Sequence, residues 1–583
     1  MKSHIKRHMK ILRHTIAIAI FLSVSFQARS QNAELFFKAA GTPSNPKVEA
    51  AWNRYHTYDG ITDLCRRLAK EHPGLVIMEA AGKSYQGRDI IALTITDRST
   101  GNPDHKPAFY IDGNIHSNEI QGTEMALYTA WYLCEMFDEN KFINQLLKDK
   151  TFYILPTINP DARQYFMDEP NTASSPRSGL VPMDNDRDRL YDEDKPDDLN
   201  NDGIISMMRR KSQYGTYNAD PKDPRRMIPA EPGKTGEYEL LGQEGIDNDG
   251  DGLVNEDGVG GYDPNRDYGF NWEPATLQQG AGKYPFSYPE NQVVRDFGFR
   301  HRNIAGSQSF HNSGGLILRG PSIQGAGAEV FTRADENVIN TIGRKGEQII
   351  AGYKFITIWK DMYTVYGGEL DWWYGAMGSY VFSNELWNNF LMYNDTAEAD
   401  TYEFDRYLLF EDAFVSWEVV DHPVYGKVEV GGFNKNFGRT HPGFLLESDT
   451  HRNAAFCIYN AWVTPKLEVK DIFVKDIGGG LREVSATVVN SQLMPTHSGN
   501  NLKYKIDPPD YVYLDGGRVI AGMVVTDKDR NLATEQKMNP GRIELDNIGG
   551  YQQVYVKWIV SGGSKFTVRV ESVKGGRASA SSN

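Results

Sequence analysis

A strand that runs into a polar turn and then into a helix constrains this 583-residue chain more than any other feature. Phe109-Tyr-Ile111 reads as a buried strand, and Met125, Tyr128, Trp131 and Tyr132 recur at helical spacing soon after it. Between them lies Asp112-Gly-Asn-Ile-His-Ser-Asn-Glu119. Such a junction sets polar side chains at the end of a sheet, where α/β folds place their ligands. There His116 and Glu119, three residues apart, can converge on one cation. A catalytic zinc takes three protein ligands and keeps one position open. The distant His311 and Glu385 are available to complete such a site. Alone the pair is weak evidence, because a polar helix start with a surface histidine is spelled the same way.

Four further segments follow in order. Tyr153-Ile-Leu-Pro-Thr-Ile-Asn-Pro-Asp-Ala162 reads as a strand ending in a polar loop, and Asp263-Pro-Asn-Arg-Asp267 carries an Asn-Arg pair. Gly306-Ser-Gln-Ser-Phe-His-Asn-Ser-Gly-Gly315 places His311 just past a short strand. Tyr363-Thr-Val-Tyr-Gly-Gly-Glu-Leu-Asp-Trp372 leads to Gly378-Ser-Tyr-Val-Phe-Ser-Asn-Glu-Leu386, an apolar strand with one Glu. With the upstream Gly82-Lys-Ser-Tyr-Gln-Gly-Arg-Asp89, these motifs make residues 50 to 460 resemble the zinc metallocarboxypeptidase family, the carboxypeptidase A-like enzymes. The resemblance implies one zinc per chain, held by His116, Glu119 and His311. It implies that Glu385 is the general base, taking a proton from the attacking water and passing it to the leaving amine. Asn265 and Arg266 match the clamp for a terminal carboxylate, a task suited to the planar fork of a guanidinium. Tyr363 matches the tyrosine that closes over the bound residue. Arg209, in Met207-Met-Arg-Arg-Lys211, best matches the arginine that steadies the developing oxyanion, with Arg210 as its competitor.

Some positions depart from the family pattern. Asn118 stands where the animal digestive enzymes carry an Arg, Asn312 and Ser313 replace a small hydroxyl and aromatic pair, and Asp267 follows Asn-Arg where Asn is common. None touches the metal or the base, so they bear on substrate length and side-chain preference. Leu370 aligns with the position that sets the side-chain pocket and implies an apolar or neutral preference; Glu369 beside it argues the other way.

An acidic, Gly-rich insertion over residues 180–262 separates the motifs. Asp198-Leu-Asn-Asn-Asp-Gly203 offers Asp198, Asn200 and Asp202, and Asp247-Asn-Asp-Gly-Asp-Gly252 offers Asp247, Asp249 and Asp251, as calcium loops. Asp184-Asn-Asp-Arg-Asp188 with Asp192, Glu193 and Asp194 is a degenerate third. The first loop has Arg209 where an EF-hand has its bidentate Glu, which excludes a full EF-hand. The plain alternative is a solvated acidic loop with Asp-Gly turns.

Residues 1–30 read as a cleavable secretory leader: a basic start, an apolar stretch from Thr15 to Phe26, and Ala28-Arg-Ser30 before the cut. Twelve apolar-rich residues are too few to span a bilayer, so no stable membrane insertion is expected once the leader is cut. Losing a leader with six basic and no acidic residues moves the formal charge from −14 to −20, which disfavours nucleic acid as a partner. Cys65, Cys134 and Cys457 are too few for a disulfide scaffold, and export without one suits a periplasm or secretion.

Alternating strands and helices over residues 31–465 predict an α/β/α sandwich around a mixed, mostly parallel sheet. From residue 466 to 574 the texture turns to alternating strands between Gly and Pro turns, which predicts an all-β sandwich domain. The Gly/Ser-rich tail over 575–583 is expected to be flexible. The functional expectation is a secreted or periplasmic zinc carboxypeptidase acting on peptides with a free C-terminus. The alternatives are an amidase of the same fold acting on cell-wall peptides and an inactive peptide-binding homologue.

Overall fold

The computed structural model describes residues 38–325, 331–387 and 401–582, so the leader expected over residues 1–30 lies outside the described residues. An eight-stranded mixed sheet organises the first half. Its spatial order is Val76–Lys83, Asp89–Ile95, Thr151–Leu155, Ala108–Gly113, Ile304–Asn312, Tyr380–Leu386, Leu316–Arg319, Lys354–Thr357. The four central strands run parallel to one another. Every residue of Ala108–Gly113, Thr151–Leu155 and Ile304–Asn312 is buried, as expected of parallel strands covered on both faces.

Helices supply the cover. Gln121–Glu135 and Gly443–Trp462 pack together and against the two middle strands. Tyr110 packs against Phe297 of Pro289–Arg300 and Trp373 of Glu369–Gly375. Gly113 is where sheet and helix meet most closely: a Cβ there would lie 2.5 Å from the carbonyl carbon of Gly122. Only glycine permits that approach, and it pins the turn carrying His116 and Glu119 to the end of the sheet.

The insertion is more than loops. Met207–Gly215, Tyr217–Ala219, Met227–Pro229 and Gly236–Gln243 join the hairpin Phe414–His422 and Gly426–Phe433 in a separate six-stranded sheet. The hairpin joins Met207–Gly215 through a pairing of Arg209 with Glu429, 220 residues apart, which leaves little trace in local sequence.

The C-terminal region is a β-sandwich of a five-stranded and a four-stranded sheet around Trp558, Val484, Val512 and Phe566. The tail expectation is overturned. Gly576–Ser581 pairs antiparallel with Thr567–Ser572 and forms the edge of the second sheet. Its small residues pack flat on that edge, which composition alone reads as disorder. All three cysteines are free and buried, where burial pushes the Cys65 thiol up to about 12. Among the described residues no helix is long and apolar enough to cross a membrane.

Candidate active site

The ends of the central strands bring the predicted donors together. His116 and Glu119 sit in the turn after Ala108–Gly113, and His311 ends Ile304–Asn312, the neighbouring parallel strand. His116 Nδ1 lies 3.0 Å from Glu119 Oε1, His311 Nδ1 lies 3.0 Å from Glu119 Oε2, and the two Nδ1 atoms are 3.2 Å apart. A tetrahedral ion with bonds of about 2.0 Å holds its donors about 3.3 Å apart, so the set fits zinc. The outer nitrogens are fixed from behind. His116 Nε2 donates to Asp263 Oδ1 at 2.8 Å, and His311 Nε2 lies 3.2 Å from the Asn265 side-chain amide. A carboxylate behind a ligating histidine sets its tautomer and orientation.

Burial opposes the ionisation of Glu119, but His116, Arg177 and hydrogen bonds from both histidines outweigh it and hold the carboxyl well below its usual range. Asp263 is held down in the same way by His116, Arg266 and Arg177. Glu385 faces this set because Tyr380–Leu386 runs parallel to Ile304–Asn312 with Glu385 opposite His311. Burial, then Glu119, push Glu385 up to about 7, while His311, Arg177 and Arg439 pull it back.

Asn265, Arg266, Tyr363 and Leu370 all line the pocket that holds His116, His311 and Glu385. Arg266 is buried and donates to the Asn265 carbonyl at 2.7 Å; the Asn265 side-chain carbonyl accepts from the Glu369 N–H at 2.8 Å. Tyr363 is 53% exposed, at the rim. Leu318, Ile358, Met362, Val365 and Leu370 give apolar walls. Glu369 lines the pocket too, accepting from Trp373 Nε1 and Ser309 Oγ at 3.0 Å each. Burial and the adjacent Asp112 push its carboxyl well above the usual range. Of the departures, Asn118 is buried and donates to the Ala173 carbonyl, and Asp267 accepts from Ser287 and the Tyr288 N–H, bracing the loop after Arg266.

The expectation for Arg209 is overturned. Arg209 lies in the six-stranded sheet opposite Glu429, pairs with it at 2.6 Å, and is stacked between the rings of Tyr238 and Trp417. Its competitor Arg210 pairs with Glu239 at 2.9 Å in the same sheet. The guanidinium that faces the metal donors is Arg177, 3.0 Å from Glu119 and 3.5 Å from Asp263, with Glu385 and Tyr363 among the groups acting on it. Arg439 also approaches the same Glu119 oxygen, at 3.5 Å. Arg177 sits in an irregular Ser-Pro-Arg-Ser loop that carries no local signal. Asp263 lies two residues before Asn265, and the hydrogen-bonding need of a ligating histidine is the sequence signal for it.

The carboxylates of Asp247, Asp249 and Asp251 gather within 4.8 Å. Both loops turn their first Asp onto their own backbone: Asp247 accepts from the N–H groups of Gly250 and Gly252, and Asp198 from those of Asp202 and Gly203, while Asn200 donates to Asp202.

The region that holds these residues is similar to known proteins. The model described as zinc carboxypeptidase matches residues 61–401, more than half the chain, and a domain described only as of unknown function matches residues 466–583. Carboxypeptidase B of Astacus astacus is 37% identical over 115 residues, which is 20% of this chain and 35% of that protein. The catalytic chain of carboxypeptidase N from Homo sapiens is 34% identical over 109 residues, 18% of this chain and 24% of the relative. Carboxypeptidase D of Mus musculus is 29% identical over 122 residues, 21% of this chain, and only 9% of that relative's length is covered. Among solved structures, carboxypeptidase A from Helicoverpa armigera superposes with a TM-score of 0.40 at 17% identity, covering 76% of this chain and 81% of that one. By the extent of the family match, the chain belongs to the zinc carboxypeptidase family.

Proposed function

We propose that this chain removes the last residue from peptides that end in a free carboxylate. One observation carries the reading: a three-donor metal set, a facing carboxylate and the Asn265–Arg266 pair converge in a single pocket. Zinc bound to His116, Glu119 and His311 supplies Lewis acidity toward the scissile carbonyl and the attacking water. Glu385 takes a proton from that water and returns it to the leaving amine, and a carboxyl pushed up toward neutrality suits both tasks. Arg177, not Arg209, donates to the oxygen that gains charge. Arg266 and Asn265 grip the terminal carboxylate, and Tyr363 closes the rim.

The apolar walls, with the Glu369 carboxylate turned onto Trp373 and Ser309, favour an apolar or neutral final side chain. Calcium on the Asp247–Asp251 loop belongs to the same proposal, as does export, which rests on the leader-like residues 1–30.

The test follows single-residue release from a mixed peptide library by mass spectrometry, with zinc-loaded wild type beside Glu385→Gln. Wild type trims one residue at a time, and the variant loses about 10²–10⁴-fold in kcat. A folded, zinc-loaded wild type that trims nothing rejects the reading and turns attention to cell-wall peptides.

A further inference from the structure

Beyond the peptidase reading, the insertion contains a second place where donor atoms converge. Five carboxylates from two loops about 70 residues apart meet there. Oxygens of Asp184, Asp186 and Asp257 lie within 4.8 Å of one another, and Asp186 is shared with a second group formed with Asp188 and Glu193. Asp257 is fully buried. Its Oδ1 accepts from Asn185 Nδ2 at 3.0 Å, but its Oδ2 has no hydrogen-bond partner. Asp184 Oδ1 and Glu193 Oε2 are likewise buried and unpartnered. The groups that act on Glu193 are Asp257 and Asp188, both acidic. Buried anionic oxygens left without partners in such an acidic cluster are costly unless a cation lies among them.

We propose that Asp184, Asp186, Asp188, Glu193 and Asp257 form a calcium site that joins the two loops of the insertion. The donors are all oxygen, which selects a hard cation. Five carboxylates, some bidentate, supply the six to eight oxygens calcium takes, whereas magnesium demands a strict octahedron and keeps its waters. The two loops are already held in register by an isolated bridge between Asp194 and Asp257.

The site also lies on the route to the active site. Chain entering it carries Arg177, and chain leaving it carries Asp263. The two segments touch on the way: the Val181 N–H donates to the Tyr262 hydroxyl at 3.2 Å, and a Cβ on Gly179 would strike that hydroxyl. An ion clamping the loops therefore sets the base on which Arg177 and Asp263 meet.

Full-length protein, stripped of metals and reloaded with one equivalent of Zn²⁺, is titrated with CaCl₂ in a calorimeter and followed by thermal melting. Wild type binds calcium and its melting temperature rises. Asp257→Asn and Asp186→Asn each weaken this binding by about tenfold or more, as expected for loss of one charged ligand. Asp186 is exposed, so its variant carries the test should Asp257→Asn fail to fold. The titration is repeated in the Asp249→Asn background, which takes the Asp247–Asp251 loop out of the readout, so the calcium binding that remains belongs to the Asp184–Asp257 site. The proposal is overturned if wild type takes up no calcium at millimolar concentration, or if Asp186→Asn binds as wild type does. An equal rise in melting temperature from NaCl, which marks simple screening, overturns it as well.

Discussion

Glu119 and Asp263 in the metal centre, and Glu193 and Glu256 in the insertion, are carboxylates with opposite fates. The first two face His116 and Arg177 and are held well below the ordinary carboxylate range. The other two are pushed up to about 7, by lost solvent and by acidic neighbours, Asp257 for Glu193 and Asp194 for Glu256. Depth alone would give the reverse order, since Glu119 is buried while Glu193 and Glu256 are only half-buried. What differs is the sign of the neighbours. One region carries countercharge in its own side chains and stands ready for a metal that two imidazoles and one carboxylate leave positive. The other has acidic neighbours instead, and the proposed calcium would supply the countercharge.

Arginine is the sharpest way to break that contrast. Arg177→Ala takes the cation from between Glu119, Asp263 and Glu385, and kcat/KM on a peptide substrate should fall by about 10²–10³. Arg209→Ala removes an ion pair and two ring contacts elsewhere. It should cost about 2 kcal/mol of stability, read by denaturant melting, and leave kcat/KM within about twofold. An inactive, well-folded Arg209→Ala beside an active Arg177→Ala would reverse the assignment. Next in size is Asp263→Asn, which keeps the shape but loses the charge behind His116. Zinc affinity, measured by competition with a chelator, should drop by about 10–100-fold.

The metal donors were legible in the sequence because each lies at a strand end, where local pattern and position coincide. Phe109–Ile111 and the strand before His311 are short apolar runs bounded by turns, and the parallel register that faces Glu385 with His311 follows from stacking such runs. Arg177 and the six-stranded sheet were not legible, for one reason. Their positions depend on pairings between residues far apart, such as Arg209 with Glu429, that leave no periodicity in either segment. The edge strand Gly576–Ser581 was hidden in the same way: Gly, Ala and Ser bury little surface, and only the partner Thr567–Ser572 orders them. The acidic loops were legible as composition, but the meeting of Asp184 with Asp257 is again long-range.

Lys150 offers the mirror case, a buried cation whose ammonium donates to the carbonyls of Thr464 and Pro465 where the two domains join. Burial pushes it down to about 7. Its folded pKa lies below the unfolded value near 10.4, so between these values the unfolded chain binds more protons and stability rises with pH. The slope is at most about 1.4 kcal/mol per pH unit. Lys150→Met should flatten the rise in melting temperature between pH 7 and pH 9, a window chosen from those two values. Parallel profiles for wild type and variant would show that those carbonyls fully offset the cost of the buried charge.

Glu193→Gln gives the smallest effect and the most direct comparison, because its sign depends on what fills the cluster. Without calcium, at pH 8, the substitution removes one of five negative charges that repel one another, and the melting temperature should rise by a few degrees. With calcium at saturating concentration the same substitution removes a ligand, and the melting temperature should fall relative to wild type. The metal centre provides the contrast. Glu119→Gln removes a charge already balanced by His116 and Arg177, so it should destabilise the protein whether or not calcium is present. A Glu193→Gln effect of one sign under both conditions would mean that the insertion balances its charge internally, as the metal centre does, and the distinction between the two regions would collapse.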